Sequence, residues 1–227
     1  MDADFNANNK HDGRMMMKHA EARQTLSPFN MGSRKYFTSS LEAAAKVWTC
    51  DLSRFPGKPM WMIFNDAKSC YDRIVHSVAI LCMAFQKMPY AALYVAFSTL
   101  QKAVHHVRSA YGVSKRSYGG KHRGPSQIPL HGIGQGNGAG PAIWAVISTI
   151  LLNTLVEDNL AATFTSAISQ TLLTIAAWCW VDDCDLLGTA VKPWERGEDC
   201  LDRAQQQMDH WEGLLTATGG GIVWEKS

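Results

Sequence analysis

Short apolar runs separated by turn residues alternate with longer amphipathic segments, and this pattern predicts both strands and helices. The run MWMIF follows a Pro-Gly-Lys-Pro turn and precedes Asn65 and Asp66, which favours a buried strand. Two later runs are apolar and rich in β-branched or aromatic residues, as strands are. The predicted strands are residues 60–64, 171–181, 184–190 and 222–224, and the middle two form a hairpin with Asp182 and Asp183 at its turn.

Helical periodicity and helix-end residues predict the remaining elements. Pro is typical of the first helical turn and Gly of the residue after a helix, so Pro89, Gly112 and Pro141 mark boundaries. The predicted helices are residues 39–48, 72–87, 89–111, 141–157 and 194–216. Residues 113–131 are rich in Gly, Ser, Lys and Arg and predict a basic hairpin. Residues 1–33 are polar without a clear period and predict a weakly ordered lead-in.

The order of these elements predicts an α+β fold with an antiparallel sheet backed by helices on one face. Length and composition agree, because 227 residues with 46% apolar side chains can bury the core of one large domain. The two most apolar stretches are shorter than the roughly 20 residues of a membrane-spanning helix, and residues 1–14 are too polar for a signal peptide. We therefore expect a soluble protein without membrane contact.

Charges are segregated along the chain although the formal net charge is only +2. Residues 73–156 contain eight bases and no acid, whereas residues 157–212 contain eleven acids and three bases. Such a chain can offer a basic surface to a polyanion and hold carboxylates elsewhere, although the charge pattern taken alone favours an ordinary solvated basic face. The six cysteines show no C-x-x-C spacing, which argues against a zinc ribbon and favours reduced, intracellular thiols.

Three aspartates follow apolar strands in the predicted fold. Asp66 ends the run MWMIF, and Asp182 and Asp183 follow Trp-Cys-Trp-Val. Carboxylates beside buried strands need a compensating charge, and Mg²⁺ accepts one or two carboxylates together with substrate phosphates. The sequence thus suggests a two-metal site for phosphoryl transfer, while each aspartate taken singly also fits an ordinary turn residue.

Two nearby features have open interpretations. Tyr71, five residues after Asp66, suits either a ring packed against a nucleotide sugar or the first core residue of a helix. Five glycines between residues 132 and 140 form a loop that runs into the helix at Pro141, where backbone amides can approach a phosphate. The loop also matches a loose dinucleotide-binding pattern, with Glu157 and Asp158 at the spacing of a ribose-binding acid.

Taken together, the segments FNDAKSCYDRI, GIGQGNGAGPAIW and WVDDCDLL resemble the first three palm motifs of reverse transcriptases, in their usual order and spacing. The tail TGGGIVWEKS resembles the fourth motif, and FNMGSRKYFTSSLEAA resembles the segment that precedes the first aspartate. The resemblance is to enzymes of the non-LTR retrotransposon and group II intron type. It implies a polymerase palm with partial fingers over residues 34–227.

The resemblance also implies roles for individual residues in an RNA-directed DNA polymerase that uses Mg²⁺ or Mn²⁺. Asp66 and Asp182 would be the principal metal ligands, with Asp183 in support, and Lys226 would be the general acid. Tyr71 would exclude the 2′-hydroxyl, and Gln135 and Gly136 would contact the incoming nucleotide. The expected contacts to an RNA template and DNA primer, which rest on charge and position alone, are Arg73, Lys115, Arg116, Lys121 and Arg123.

Other features depart from the pattern. No segment before residue 28 resembles basic fingers strands, and no thumb is expected after Lys226, so the sequence could be a fragment of a retroelement reading frame. Two alternatives stay open: an inactive palm that still binds RNA, and a dinucleotide-dependent enzyme. The second alternative predicts a parallel sheet.

Overall fold

A computed structural model describes residues 3–68, 70–119, 131–192, 194–223 and 225, apart from the side chain of Tyr118. Helices and short strands alternate irregularly along these ranges. In chain order the elements are α1 (Ala3–Ala22), α2 (Ser39–Arg54), β1 (Met60–Asp66), α3 (Cys70–Arg73), α4 (His76–Phe85), α5 (Tyr90–Lys102), β2 (Val104–Ser109), β3 (Gly112–Gly119), α6 (Gly140–Glu157), β4 (Ala162–Thr165), β5 (Leu172–Ile175), β6 (Ala177–Trp180), β7 (Asp183–Thr189) and α7 (Gly197–Ala217).

The central sheet has three strands in the order β1-β7-β6, and both pairings are antiparallel. Strand β7 lies in the middle and is buried from Cys184 to Thr189. The hairpin β6–β7 closes with Trp180 opposite Asp183, and β1 pairs with β7 along its whole length. Two smaller antiparallel pairs, β2–β3 and β4–β5, form separate sheets, although β4 packs against β7 and its Thr163 amide donates to the Thr189 hydroxyl over 3.0 Å. The predicted α+β fold with an antiparallel, helix-backed sheet is confirmed.

Helices cover both faces of the central sheet, not one face as expected. On one face, the Trp211 indole of α7 donates to the Asn65 side chain over 3.0 Å, and Trp61 donates to Gln207 over 2.8 Å. The side chains of the intervening residues on each strand point to the opposite face of the sheet. There the Trp178 indole donates to Thr49 of α2 over 2.9 Å, and Lys46 of α2 forms an ion pair with Asp185. The buried polar groups of the sheet therefore find partners on both sides.

Helix α6 is the centre of the core. Twelve of its residues are buried, and it packs against α1, α4 and α7. Within the described part of the chain it is the one helix long and apolar enough to cross a membrane, but 67% of that stretch is buried inside the protein, as in the core helix of a globular fold. Pro141 lies in its first turn, as predicted.

Residues 3–22 form helix α1, which corrects the expectation of a weakly ordered lead-in over residues 1–33. The helix buries Gly13, Met16, Met17 and Ala20, and it packs on α6. Gly13 allows close approach, because a Cβ there would lie 2.9 Å from the Cα of Ala139. Polar residues on the other faces make this narrow apolar stripe difficult to recognise in the sequence. The helix therefore depends on tertiary packing for its stability.

The helix predicted over residues 89–111 ends at Lys102, and the basic hairpin begins earlier than expected. Strand β2 pairs with β3 around Gly112, which lies at the hairpin turn with φ 126° and does not end a helix. His105 and His106 therefore lie on an exposed strand. Residues 120–130 of the predicted hairpin lie outside the described residues.

Three other predicted elements are interrupted. The helix over residues 72–87 breaks between α3 and α4, where the Val75 amide donates to Thr218 O over 2.9 Å. The run 171–181 divides at Ala176 into β5, which pairs with β4, and β6. The predicted strand at 222–224 is reduced to one bridge between Ile222 and Ala67, and Trp224 lies outside the described residues.

Lys46 is the cation between two buried carboxylates, Glu42 and Asp185. Burial opposes its charge, but the hydrogen bonds to Asp185 and Glu42 outweigh burial and raise the pKa of Lys46. We expect Lys46→Met to lower the free energy of unfolding by about 2 kcal/mol or more, because two buried acids lose their counter-charge. Urea denaturation at pH 7 measures this change.

A matched control lies on the same helix. Arg54 pairs with Asp51 at the surface over 3.7 Å, with 80% of its side chain exposed. Arg54→Met should change stability by less than about 1 kcal/mol. Equal effects of the two substitutions would show that the Lys46 pairs do not stabilise the fold.

Candidate active site

The ends of two paired strands bring three aspartates together. Asp66 is the last residue of β1, and its partner in the antiparallel register is Asp183, the first residue of β7. Asp182 is the next residue back, in the turn between β6 and β7. Because paired residues in a sheet are immediate neighbours, this register alone places the carboxylates of two distant sequence segments at one edge.

The turn that carries Asp182 is conformationally unusual. Val181 has φ 60°, the left-handed region that a β-branched residue rarely adopts. The turn is supported from behind by Gly32, since a Cβ on Gly32 would lie 2.2 Å from the Val181 nitrogen. Packing against the segment around Gly32 therefore holds a strained backbone beside Asp182, and such strain is concentrated at functional sites.

Four of the predicted site residues line one cavity of about 290 Å³: Asp66, Asp182, Tyr71 and Gln135. Asp183 and Gly136 are exposed beside it and do not line it. The cavity thus combines carboxylates, one phenol and one amide side chain. Sequence reasoning did not assign a role here to the other lining residues, which are Ala67, Lys68, Cys70, Asp72 and Val223.

Negative charge is concentrated in this cavity. Burial and the neighbouring charges of Asp183 and Asp66 raise the pKa of Asp182, against a backbone hydrogen bond that lowers it. Burial, and then Cys70, Asp182 and Asp183, raise the pKa of the Tyr71 phenol. Both shifts disfavour negative charge on these two groups, and the Tyr71 phenol therefore stays neutral at physiological pH. A cation is the natural complement of such a site.

Asp72 positions the glycine loop, a role the sequence did not reveal. Its Oδ1 accepts a hydrogen bond from the backbone amide of Gln135 over 2.7 Å. The backbone amide of Ile133 donates to the Tyr71 carbonyl oxygen over 2.8 Å. Gly132, with φ 83°, lies so close to Asp72 that a Cβ would come within 2.4 Å of its backbone. The two segments are thereby joined directly, which sets Gln135 opposite Tyr71. Asp72 is interpretable from sequence only as an acid at a helix start.

The segment after α7 returns to the site. The Val223 amide donates to Asp66 O over 3.0 Å, and the Lys68 amide donates to Gly221 O over 2.8 Å. Val223 consequently lines the cavity. Lys226, the predicted general acid, lies outside the described residues.

The described members of the predicted nucleic-acid contacts lie on two different elements. Lys115 and Arg116 are exposed on β3, whereas Arg73 ends α3 and lies beside Gly221. Lys121 and Arg123 lie outside the described residues. A second cavity, of about 680 Å³, shares Asp72 and Gln135 with the first and reaches the base of the β2–β3 hairpin.

The carboxylates that line the cavity supply some, though not all, of the ligands that a hard divalent cation needs. Among the described residues, no three His, Cys, Asp or Glu side chains are clustered so as to hold a metal ion unaided. Asp66 and Asp182 nevertheless line the same cavity, and burial, followed by the charges of Asp183 and Asp66, raises the pKa of Asp182. Two carboxylates are enough for Mg²⁺ when substrate phosphates and water complete its shell.

The dinucleotide-binding alternative is wrong for this fold. All named sheets of the described residues are antiparallel, whereas that alternative predicts a parallel sheet. Glu157 ends helix α6 and Asp158 follows it, so neither follows a strand as a ribose-binding acid should.

Asp182→Asn should stabilise the protein at neutral pH. The raised pKa means that the folded state holds the Asp182 proton more tightly than the unfolded state, so the charged carboxylate lowers stability as pH rises through its folded pKa. The variant should have a higher Tm than the parent at pH 7, and the difference should shrink at pH 3. Calorimetry at both pH values checks this, with the exposed Asp202→Asn of α7 as control. An unchanged or lower Tm at pH 7 would contradict the charge crowding.

Comparison with known proteins identifies the fold. No protein-family model matches the sequence, and neither does any curated protein. Apo telomerase from Candida tropicalis, truncated from its C-terminal domain, superposes with TM-score 0.56 at 13% identity over 97% of this chain and 39% of that one. Telomerase from Candida albicans, in complex with the TWJ fragment of telomeric RNA, gives TM-score 0.56 at 13% identity over 96% and 34%.

The chain spans between a third and two-fifths of these telomerase chains. Telomerases are reverse transcriptases, and at this low identity the likeness concerns the fold. It gives no support to the finer assignment to the non-LTR or group II intron type, which stays a prediction. The antiparallel sheet with its three strand-end aspartates, together with this superposition, gives the chain a reverse-transcriptase-like fold.

Proposed function

We propose that this chain is an RNA-directed DNA polymerase domain that adds deoxynucleotides to a primer 3′-hydroxyl. The observation that carries the proposal is the shared cavity of Asp66, Asp182, Tyr71 and Gln135, formed by paired strand ends in a reverse-transcriptase-like fold. Phosphoryl transfer needs a site of this kind, in which carboxylates hold cations beside a nucleotide pocket.

In the proposed reaction, the primer 3′-oxygen attacks the α-phosphorus of a deoxynucleoside triphosphate. A P–O bond to the primer forms as the bond to pyrophosphate breaks, and the hydroxyl proton passes to solvent water. Asp66 and Asp182 would hold Mg²⁺ or Mn²⁺, with Asp183 in support. When bound, the cation makes the hydroxyl more acidic and neutralises the triphosphate. Lys226 is proposed to protonate the leaving pyrophosphate.

Tyr71 and Gln135 would select the incoming nucleotide. The half-buried Tyr71 ring packs toward α6, because a Cβ on Gly140 would lie 3.4 Å from its Cδ1. A ring fixed in this way leaves less space for a 2′-hydroxyl. Gln135, held by the Asp72 carboxylate, would contact the nucleotide with its side chain, and the exposed Gly136 would let the backbone approach.

An RNA template and a DNA primer are the proposed partners. Residues 104–117 form an exposed basic strand pair, and its Lys115 and Arg116 would contact phosphates without reading sequence. Arg73 would add a contact near the site, and Lys121 and Arg123 are proposed from sequence alone. A solved telomerase from Candida tropicalis holds a fragment of telomeric RNA, which supports RNA as the partner. Origin in a retroelement and an intracellular location stay predictions.

Primer extension tests the proposed function. The full chain should extend a 5′-labelled DNA primer on an RNA template when Mg²⁺ or Mn²⁺ and deoxynucleotides are present. Asp66→Asn and Asp182→Asn should each lower the rate by at least about 100-fold, because each removes a charge that the transition state requires. Asp202→Asn, a matched change on the surface of α7, should leave the rate unchanged.

The outcomes separate the candidate functions. If both site variants lose primer extension and Asp202→Asn keeps it, the polymerase proposal is supported. If the parent chain binds the template-primer and gives no extension with either cation, the alternative of an inactive RNA-binding palm is favoured. Extension that survives both substitutions would contradict the assignment of the site.

A further inference from the structure

A large groove is lined by Gly138 of the glycine loop and by none of the three aspartates. It has a volume of about 860 Å³ and runs between α1 and residues 33–36. Its floor is made of small or apolar residues, among them Gly13, Met17, Gly138 and Pro141. No predicted site residue lines it. The proposed polymerase reaction uses none of the residues that line the groove.

The walls of this groove carry five cations. Arg34 is neutralised by Glu21 in a two-point ion pair, with distances of 2.7 and 3.1 Å. The other four have no carboxylate within ion-pair distance anywhere in the described ranges. They are Lys10, Arg14, Lys18 and Lys35, all exposed. The groove therefore holds an excess of positive charge that an anion could neutralise.

Three of these cations form a regular row. Lys10, Arg14 and Lys18 are four residues apart on α1, so their Cα atoms repeat every 6 Å or so along about 12 Å of helix. The acid of the same helix segment, Asp12, lies in a separate groove against α5. A row of equally spaced charges fits a repeating polyanion better than a single phosphate.

The opposite wall adds an aromatic ring on a fixed loop. Tyr36 is 85% exposed, and the Lys35 ammonium lies 4.6 Å from its ring centre. Arg34 holds the loop in place, since it also donates to Ser27 O and Asn30 O. Cations along the backbone and an exposed ring for base stacking are the two features by which proteins bind single-stranded nucleic acid.

The glycine loop contributes to both the groove and the proposed active site. Gly138 contacts Lys10 so closely that a Cβ would lie 2.7 Å from the lysine Cβ, while Gln135 of the same loop lines the aspartate cavity. We infer that this groove binds a single strand of nucleic acid, with phosphates along Lys10, Arg14 and Lys18 and a base stacked on Tyr36. The assignment of this strand as an unpaired template rests on the proposed function.

Binding of a fluorescein-labelled 12-nucleotide oligomer, without metal or deoxynucleotides, tests the inference. The test variant is K10Q/R14Q/K18Q, which keeps helix-forming side chains. The control is R23Q/K102Q/K192Q, which removes the same charge from exposed positions outside the groove. RNA and DNA of one sequence, each single-stranded and as a duplex, are compared by anisotropy over a range of salt.

The groove variant should bind the single strand roughly 10-fold or more weakly at 0.15 M salt, and its salt slope should fall by about 2. The control should stay within about 2-fold of the parent. Equal losses in both variants, or none in either, would overturn the inference. A loss seen only with duplex, or displacement of the strand by an acidic peptide at equal phosphate and carboxylate concentration, would also overturn it. The RNA and DNA arms show which strand is preferred.

Tyr36→Leu gives a second test that leaves helix α1 intact. Loss of stacking should weaken single-strand binding roughly 5-fold or more without a change in salt slope. An unchanged affinity would contradict the placement of a base on Tyr36.

These assays are independent of catalysis. If the chain extends no primer but the groove variant loses single-strand binding, the groove stands and the polymerase proposal fails. If extension and template affinity are both unchanged in the groove variant, the groove fails and the polymerase stands.

Discussion

The antiparallel pairing of β1 with β7 is the constraint on which the candidate site depends. It places Asp66 opposite Asp183 and brings Asp182 to the same edge, so like charges meet where the partly buried β1 ends and the buried β7 begins. Burial of Asp182 and the neighbouring charges of Asp183 and Asp66 make its ionised form less favourable in the folded state and raise its pKa. A fold keeps such an arrangement only where the rest of its packing is strong enough to hold it.

That packing comes from every side of the sheet. Trp211 and Gln207 of α7 bind one face, and Lys46 of α2 neutralises Asp185 on the other. Gly32 supports the strained turn at Val181 from behind. The glycine loop then joins to the site through the Asp72 carboxylate, and α6 runs from that loop into the core. Stability is thus supplied by the core and lowered at the strand ends, a distribution common at functional sites.

Much of this arrangement was predictable from sequence because it depends on local signals. The run MWMIF, Pro141 and the Asp182 turn each mark their own element, and Asp66, Asp182, Tyr71 and Gln135 meet as expected. What failed depends on contacts distant in sequence. Helix α1 forms because its few apolar residues pack on α6, and β2 forms because residues 104–109 pair with β3 instead of extending α5. The role of Asp72 rests on a hydrogen bond to a residue 63 positions away.

The most direct test of the central claim is Mn²⁺ binding to the full chain, followed by the paramagnetic broadening of backbone amide signals. If the strand-end carboxylates form one cation site, Mn²⁺ should broaden the signals of Tyr71 and Gln135 at stoichiometric concentration, and much more strongly than those of Met60 and Thr189 at the far end of the β1–β7 pair, about 20 Å away. Asp66→Asn and Asp182→Asn should each abolish the effect, because each removes one ligand. Broadening that persists in both variants, or that is absent from the parent chain at millimolar Mn²⁺, would contradict the account.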